Sequence, residues 1–142
     1  MKKLIMCFFC VLSIFSLVAC NMGKISNDLS IEVSESTKFS KEEIDSAIER
    51  VKKDFDFPAS TLEKIWYDEE KSNSLVDDYL EYGRGSINGA KAENVIVLLS
   101  DFYVDDSGDN PTLSPDTTYT DFQWVLIRDD KTSNWKIDDL GY

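Results

Sequence analysis

The sequence predicts an α+β domain over residues 38–142, with two N-terminal helices packed on an antiparallel sheet of about four strands, in the order α-β-α-β-β-β. Three observations carry this reading. Ile44, Ala47, Ile48, Val51 and Phe55 recur at three- and four-residue spacing, which is the apolar stripe of one helix. Val95-Ile96-Val97-Leu98-Leu99 is apolar on both faces, as expected of a central strand covered on one side by helices. Strand-like segments cluster after the helical ones instead of alternating with them, which favours an antiparallel sheet.

Each element has its own signal. Ser40-Lys41-Glu42-Glu43 is a capping box, in which the Ser40 hydroxyl accepts from the Glu43 amide and Glu43 reaches back to the Ser40 amide. Phe39 and Ile44 flank it as a hydrophobic staple. The helix ends at Phe57-Pro58, because the residue before proline is driven out of the helical region. Residues 61–67 read as a strand with Leu62, Ile65, Trp66 and Tyr67 as its bulk, followed by a solvated turn at residues 68–71. Ser74 caps a second helix whose inner face is Leu75, Val76, Tyr79 and Leu80, with Gly83 just past its end. Residues 94–104 form the central strand, a long connection follows to residue 121, and residues 122–128 and 135–140 close the sheet.

Ahead of this lies a segment of a different kind. Lys2 and Lys3 precede a stretch from Leu4 to Ala19 that is apolar except for Ser13 and Ser16, and Cys20 follows. A transmembrane helix needs about 20 apolar residues, more than are present here. A plain secretory cleavage site needs small residues at −3 and −1, but Leu17 fills −3. Leu17-Val18-Ala19-Cys20 resembles the lipobox of bacterial lipoproteins. The resemblance implies that residues 1–19 are a signal peptide, that the Cys20 thiol carries a diacylglyceryl group, and that the chain is held at the extracytoplasmic face of a membrane. Residues 20–37 are then the lipidated cysteine and a flexible polar tether, with a short edge strand around Ile31 and Val33 as the alternative reading.

Composition narrows the chemistry. Loss of residues 1–19 removes two lysines and no acid, leaving 13 basic against 27 acidic side chains, formally −14 over 123 residues. That balance argues against nucleic acid as a partner and leaves a cationic ligand or an envelope protein open. The chain has no histidine, which removes Ser-His-Asp catalysis, histidine-ligated metals and histidine pH switches. Of its three cysteines, Cys7 and Cys10 belong to the signal segment and Cys20 is the lipidation site, so no disulfide or thiolate metal site is expected.

The remaining motifs are weak. Asp105-Asp106-Ser107-Gly108-Asp109-Asn110 has calcium-like composition, but its glycine and distal acid do not fall at EF-hand positions, and a solvated loop is expected. Residues 83–89 are glycine-rich without the Lys-Ser/Thr ending of a phosphate loop. Asp101, inside the central strand, is the candidate acid–base group if its face encloses a pocket. Otherwise it pairs with Arg128 or a tyrosine hydroxyl, or lies where the strand emerges. Trp66, Trp124 and Trp135 with the tyrosines are expected in the core, and a sugar or peptide platform is the alternative. Asp138 and Asp139 read as a solvated strand end.

The element order, together with the terminal run Asn134-Trp135-Lys136-Ile137-Asp138-Asp139-Leu140-Gly141-Tyr142, resembles the cystatin-like superfamily and its nuclear-transport-factor-like members. That resemblance implies a curved sheet and leaves function open, because the fold hosts enzymes and binding proteins alike. The leading expectation is a non-enzymatic binding or accessory domain without cofactor or metal. The alternatives are a small pocket enzyme using Asp101 and a structural envelope protein that docks a partner.

Overall fold

The computed structural model describes residues 22–142. Cys20 and residues 1–19, read above as a signal peptide, lie outside the described residues. Five strands form one sheet in sequential order: β1 (Lys24–Val33), β2 (Ser60–Tyr67), β3 (Val95–Val104), β4 (Thr117–Ile127) and β5 (Lys136–Gly141). Helix α1 (Lys41–Asp54) joins β1 to β2. Helix α2 (Glu69–Tyr82), the four-residue α3 (Gly85–Asn88) and a 3₁₀ turn at Ala92–Asn94 join β2 to β3. None of the described helices is long and apolar enough to cross a membrane.

This corrects the sequence reading at three points. The sheet has five strands, because residues 24–33, within the span read as tether, pair with β2. That pairing is parallel, so the sheet is mixed. The helices also cover both faces instead of one. On β3, Ile96, Leu98, Phe102 and Val104 face α1, whereas Val95 and Val97 face Val76 and Tyr79 of α2. Period-two alternation thus explains the unbroken apolar run: each half of it serves a different helix.

Helix α1 follows its start signals closely but ends at Asp54, with Phe55 as its C-cap, ahead of the Phe57-Pro58 stop. Ser40 Oγ accepts from the Glu43 amide at 3.2 Å, and Glu43 Oε2 accepts from the Ser40 amide at 2.7 Å. Helix α2 starts earlier than expected. Asp68, not Ser74, caps it, accepting from the Lys71 amide at 2.8 Å. Asp68 to Lys71 are thus a cap and first turn, with Glu69 and Glu70 favourably placed at the positive end of the helix dipole.

The register breaks at four places: once in the parallel β1–β2 pairing, between Ile25 and Ser30, and at three bulges in the antiparallel pairings. Glu63 is the extra residue on β2, Thr120 and Asp121 of β4 together oppose Asp101, and Asp138 is the extra residue on β5. Asp121 takes a left-handed φ of 57° to make its bulge. Residues 105–116 fold around buried Asn110, whose side chain accepts from the amides of Thr112 and Leu113 and donates to the Pro58 carbonyl at 2.8 Å.

The start of α1 and the β4–β5 connection meet at a buried cation. Arg128 is 6% exposed, and its guanidinium reaches Glu43 Oε1 at 2.7 Å. It also stacks 4.4 Å from the Trp135 ring, while Trp135 Nε1 donates to the Glu43 carbonyl at 3.0 Å. One side chain thereby ties the start of α1 to the end of β4 and the start of β5. Truncation would strand Glu43 and open a void beside Trp135. Arg128→Ala should cost about 3 kcal/mol in denaturant unfolding, and a variant as stable as the parent would contradict this role.

Candidate functional site

Side chains carrying polar chemistry converge where α2, α3 and β5 meet. The inner face of α2 points Tyr79 at the sheet, where it is 5% exposed and needs a partner for its hydroxyl. Tyr79 Oη donates to Asp138 Oδ2 at 2.6 Å. Asn88 Nδ2 donates to Tyr79 Oη at 2.7 Å and lies 3.3 Å from the same carboxylate oxygen. Arg84 Nε approaches Asp138 at 3.5 Å from a mostly exposed position, so that ion pair is weak. Burial, followed by the hydrogen bond to Asp138, pushes the Tyr79 phenol up to about 12. It therefore keeps its proton near neutrality and acts as a donor, not a base.

The glycine-rich loop has a steric reason to be there. A Cβ on Gly85 would lie 2.6 Å from Tyr79 Cε1, so α3 can close over the ring only with hydrogen at that position. Residues 83–89, weighed above as a phosphate loop, thus seat Tyr79 and present Asn88 to it. A cavity of about 380 Å³ adjoins this cluster, with Asn88, Lys91, Glu93, Asn94, Arg128 and Asp129 in its wall. Amides and charges of both signs line it, without a hydroxyl or thiol, which suits hydrogen bonding to a small polar ligand. A shallower groove of about 460 Å³ runs along Val33, Ser36, Phe39, Lys41 and Ile44.

Other candidates from the sequence have structural roles. Asp101 is half-buried, and its Oδ1 accepts from the Asp121 amide at 3.0 Å, which closes the β4 bulge. Neither Arg128 nor a tyrosine is its partner, and the two cavities above are lined by other residues. Asp105 accepts from the amide and hydroxyl of Ser107, and these bonds hold its carboxyl below the usual range. Among the described residues, no three acidic side chains gather as around a metal ion. Trp124 and Trp135 belong to the α1-side core, where Trp124 Nε1 donates to Ser100 Oγ at 2.8 Å. Trp66 is half-buried under the Lys64 ammonium, 4.9 Å from its ring.

Two functional-looking groups escaped the sequence reading. The sequence pattern places Asp138 in solvent, but the β5 bulge re-aims it at Tyr79. The sequence pattern puts Glu69 in a solvated turn. Its carboxylate instead accepts from the Ser36 hydroxyl, and from the Thr37 hydroxyl at 2.7 Å and the Thr37 amide at 2.8 Å. These bonds pull its pKa down to about 2. The available signal for Asp138 was indirect: an inward tyrosine on α2 requires a hydroxyl partner.

The sequence model of a family described as a domain of unknown function, DUF4829, matches residues 46–141, and the chain belongs to that family. No curated protein and no solved structure matches it.

Because the Tyr79 pKa is raised on folding, its contribution to stability is whole below the ordinary tyrosine value of about 10 and disappears as pH rises through about 12. Tyr79→Phe should cost about 1–2 kcal/mol at neutral pH by leaving Asp138 and Asn88 short of a partner. It should also remove one late step from the tyrosinate absorbance titration. An unchanged titration would show that Tyr79 is not the group held at high pKa.

Proposed function

We propose that this member of the DUF4829 family is a bacterial lipoprotein, anchored through a lipid on Cys20 at the extracytoplasmic face of a membrane, and that its domain is a non-catalytic binding or accessory module. The observation that carries the anchor is Leu17-Val18-Ala19-Cys20 behind a short charged and apolar leader. Two or more acyl chains give stable attachment, at about 0.8 kcal/mol per buried CH₂. The acidic surface, formally −14 over residues 20–142, adds no attraction to anionic headgroups, so the lipid supplies the attachment.

The module reading is supported by what the polar groups do. Asp101 is engaged in closing a bulge, Asp138 is engaged by Tyr79, and the cavity beside Asn88 carries no hydroxyl or thiol nucleophile. Its mixed charge suits a small polar ligand held by amides and ionic groups. Kinship with the cystatin-like superfamily is part of this proposal. A helix lying across a bulged, bent antiparallel set of strands supports it, whereas the parallel β1 and the second covered face depart from the expected pattern.

Metabolic labelling tests the anchor. Labelled fatty acid should enter the wild-type protein and be lost entirely in Cys20→Ala, which should leave the membrane fraction. Wild-type protein released without label would overturn the reading.

A further inference from the structure

We propose that the domain stands directly on the lipid headgroups in one orientation, with the β1 start as its foot and the Asn88 cavity at its far end. This rests on the lipid-anchor reading above and goes beyond it, because a flexible tether of 17 residues would let the domain sample every orientation at a reach of about 20 Å. The structure leaves no such tether. Strand β1 begins at Lys24, and Gly23 is already packed: a Cβ there would lie 2.9 Å from both Phe55 Cδ1 and the Phe57 amide nitrogen. Only Asn21 and Met22 separate that fixed point from Cys20. Three residue steps reach about 11 Å at full extension.

The foot can be identified from the register. Lys24 pairs with Thr61, next to the α1–β2 turn, and Tyr103 pairs with both Thr61 and Thr118. The loop of residues 105–116 is pinned to the same turn by the Asp105 amide on the Ala59 carbonyl and by Asn110 on the Pro58 carbonyl. The charge of Lys24 is felt at Asp105, which places both at this end. At the opposite end, beyond Val95 and Ile127, lie the β4–β5 turn and the cavity with Asn88, Lys91 and Arg128 in its wall. Ten residues of β3 separate the two ends, a span of about 30 Å.

Charge does not produce this placement. The foot exposes Asp56, Asp106 and Asp109 as well as Lys24, so tether length holds it against the headgroups and electrostatic attraction does not. Met22, 58% exposed between the lipid attachment and Gly23, is the one apolar side chain offered to the interface from the linker. The consequence is functional: the ligand-sized cavity faces away from the membrane, open to a soluble molecule or to another protein's outer surface.

The test uses the chain from residue 20, with the Cys20 thiol coupled to a maleimide phospholipid in phosphatidylcholine vesicles that carry a spin-labelled headgroup quencher. A tryptophan is added at the foot by Asp56→Trp or at the far end by Lys131→Trp, both exposed positions, and the parent emission is subtracted. Emission added at position 56 should be quenched several-fold more than emission added at 131. A twelve-residue Gly/Ser spacer between Met22 and Gly23 should erase that contrast. Equal quenching without the spacer, or stronger quenching at 131, would overturn the placement. Because coupling supplies the lipid, this result is independent of whether cells lipidate Cys20, which the labelling experiment decides separately.

Discussion

Parallel pairing of β1 with β2 is the constraint on which the rest of the structure depends. Two parallel neighbours cannot be joined by a hairpin, so the chain between them must cross over a face of the sheet, and α1 is that crossover. Its position decides the remainder. With α1 on one face, the turn of residues 34–40 is brought against the start of α2, where Glu69 gathers Ser36, Thr37 and the Lys38 amide. Helix α2 then covers the opposite face, and its Ser72 hydroxyl accepts from the Val97 amide at 3.1 Å, beyond the last β2–β3 pair at Trp66 and Leu99. Among the described residues, no buried side-chain nitrogen or oxygen lacks a partner.

Much of this was legible in the sequence and some was not, for definable reasons. Helix α1 was readable because its box, staple and stripe are all local. Strand β3 was readable because ten residues of near-continuous burial leave little alternative. Strand β1 was legible only as the alternative around Ile31 and Val33, because an edge strand with exposed Asn27, Asp28, Ser30 and Glu32 has the composition of a spacer, and its full extent is revealed by its partner. The start of α2 moved because Asp68 and Ser74 are both competent caps, and no apolar residue lies between them to decide. The position of the second helix could not be read from β3 alone, since an apolar face does not say what covers it.

The candidate site was the least legible part, and the bulges are the cause. Strand parity assigns a face only while the register is unbroken. At Asp101 the opposing strand carries two residues, and the carboxylate is used to close that irregularity. At Asp138 an extra residue turns a side chain expected in solvent toward Tyr79. The Arg128 guanidinium was considered as a partner for Asp101, yet it serves Glu43 and Trp135 across the molecule. The Arg128–Glu43 pair joins residues 85 positions apart and leaves no trace in spacing.

Function and fold meet at the beginning of β1. With residues 24–33 in the sheet, the lipid proposed on Cys20 would hold the domain close and oriented, and the cavity at the far end would be the part presented outward. If they are a loose leader, neither follows. Hydrogen exchange resolved to peptides spanning residues 24–34 measures this most directly. The inward-bonded amides of β1, together with the Ser34 amide that donates to the Tyr67 carbonyl at 3.0 Å, should exchange as slowly as those of β2. Complete exchange of that segment within seconds, while β2 and β3 stay protected, would contradict the account.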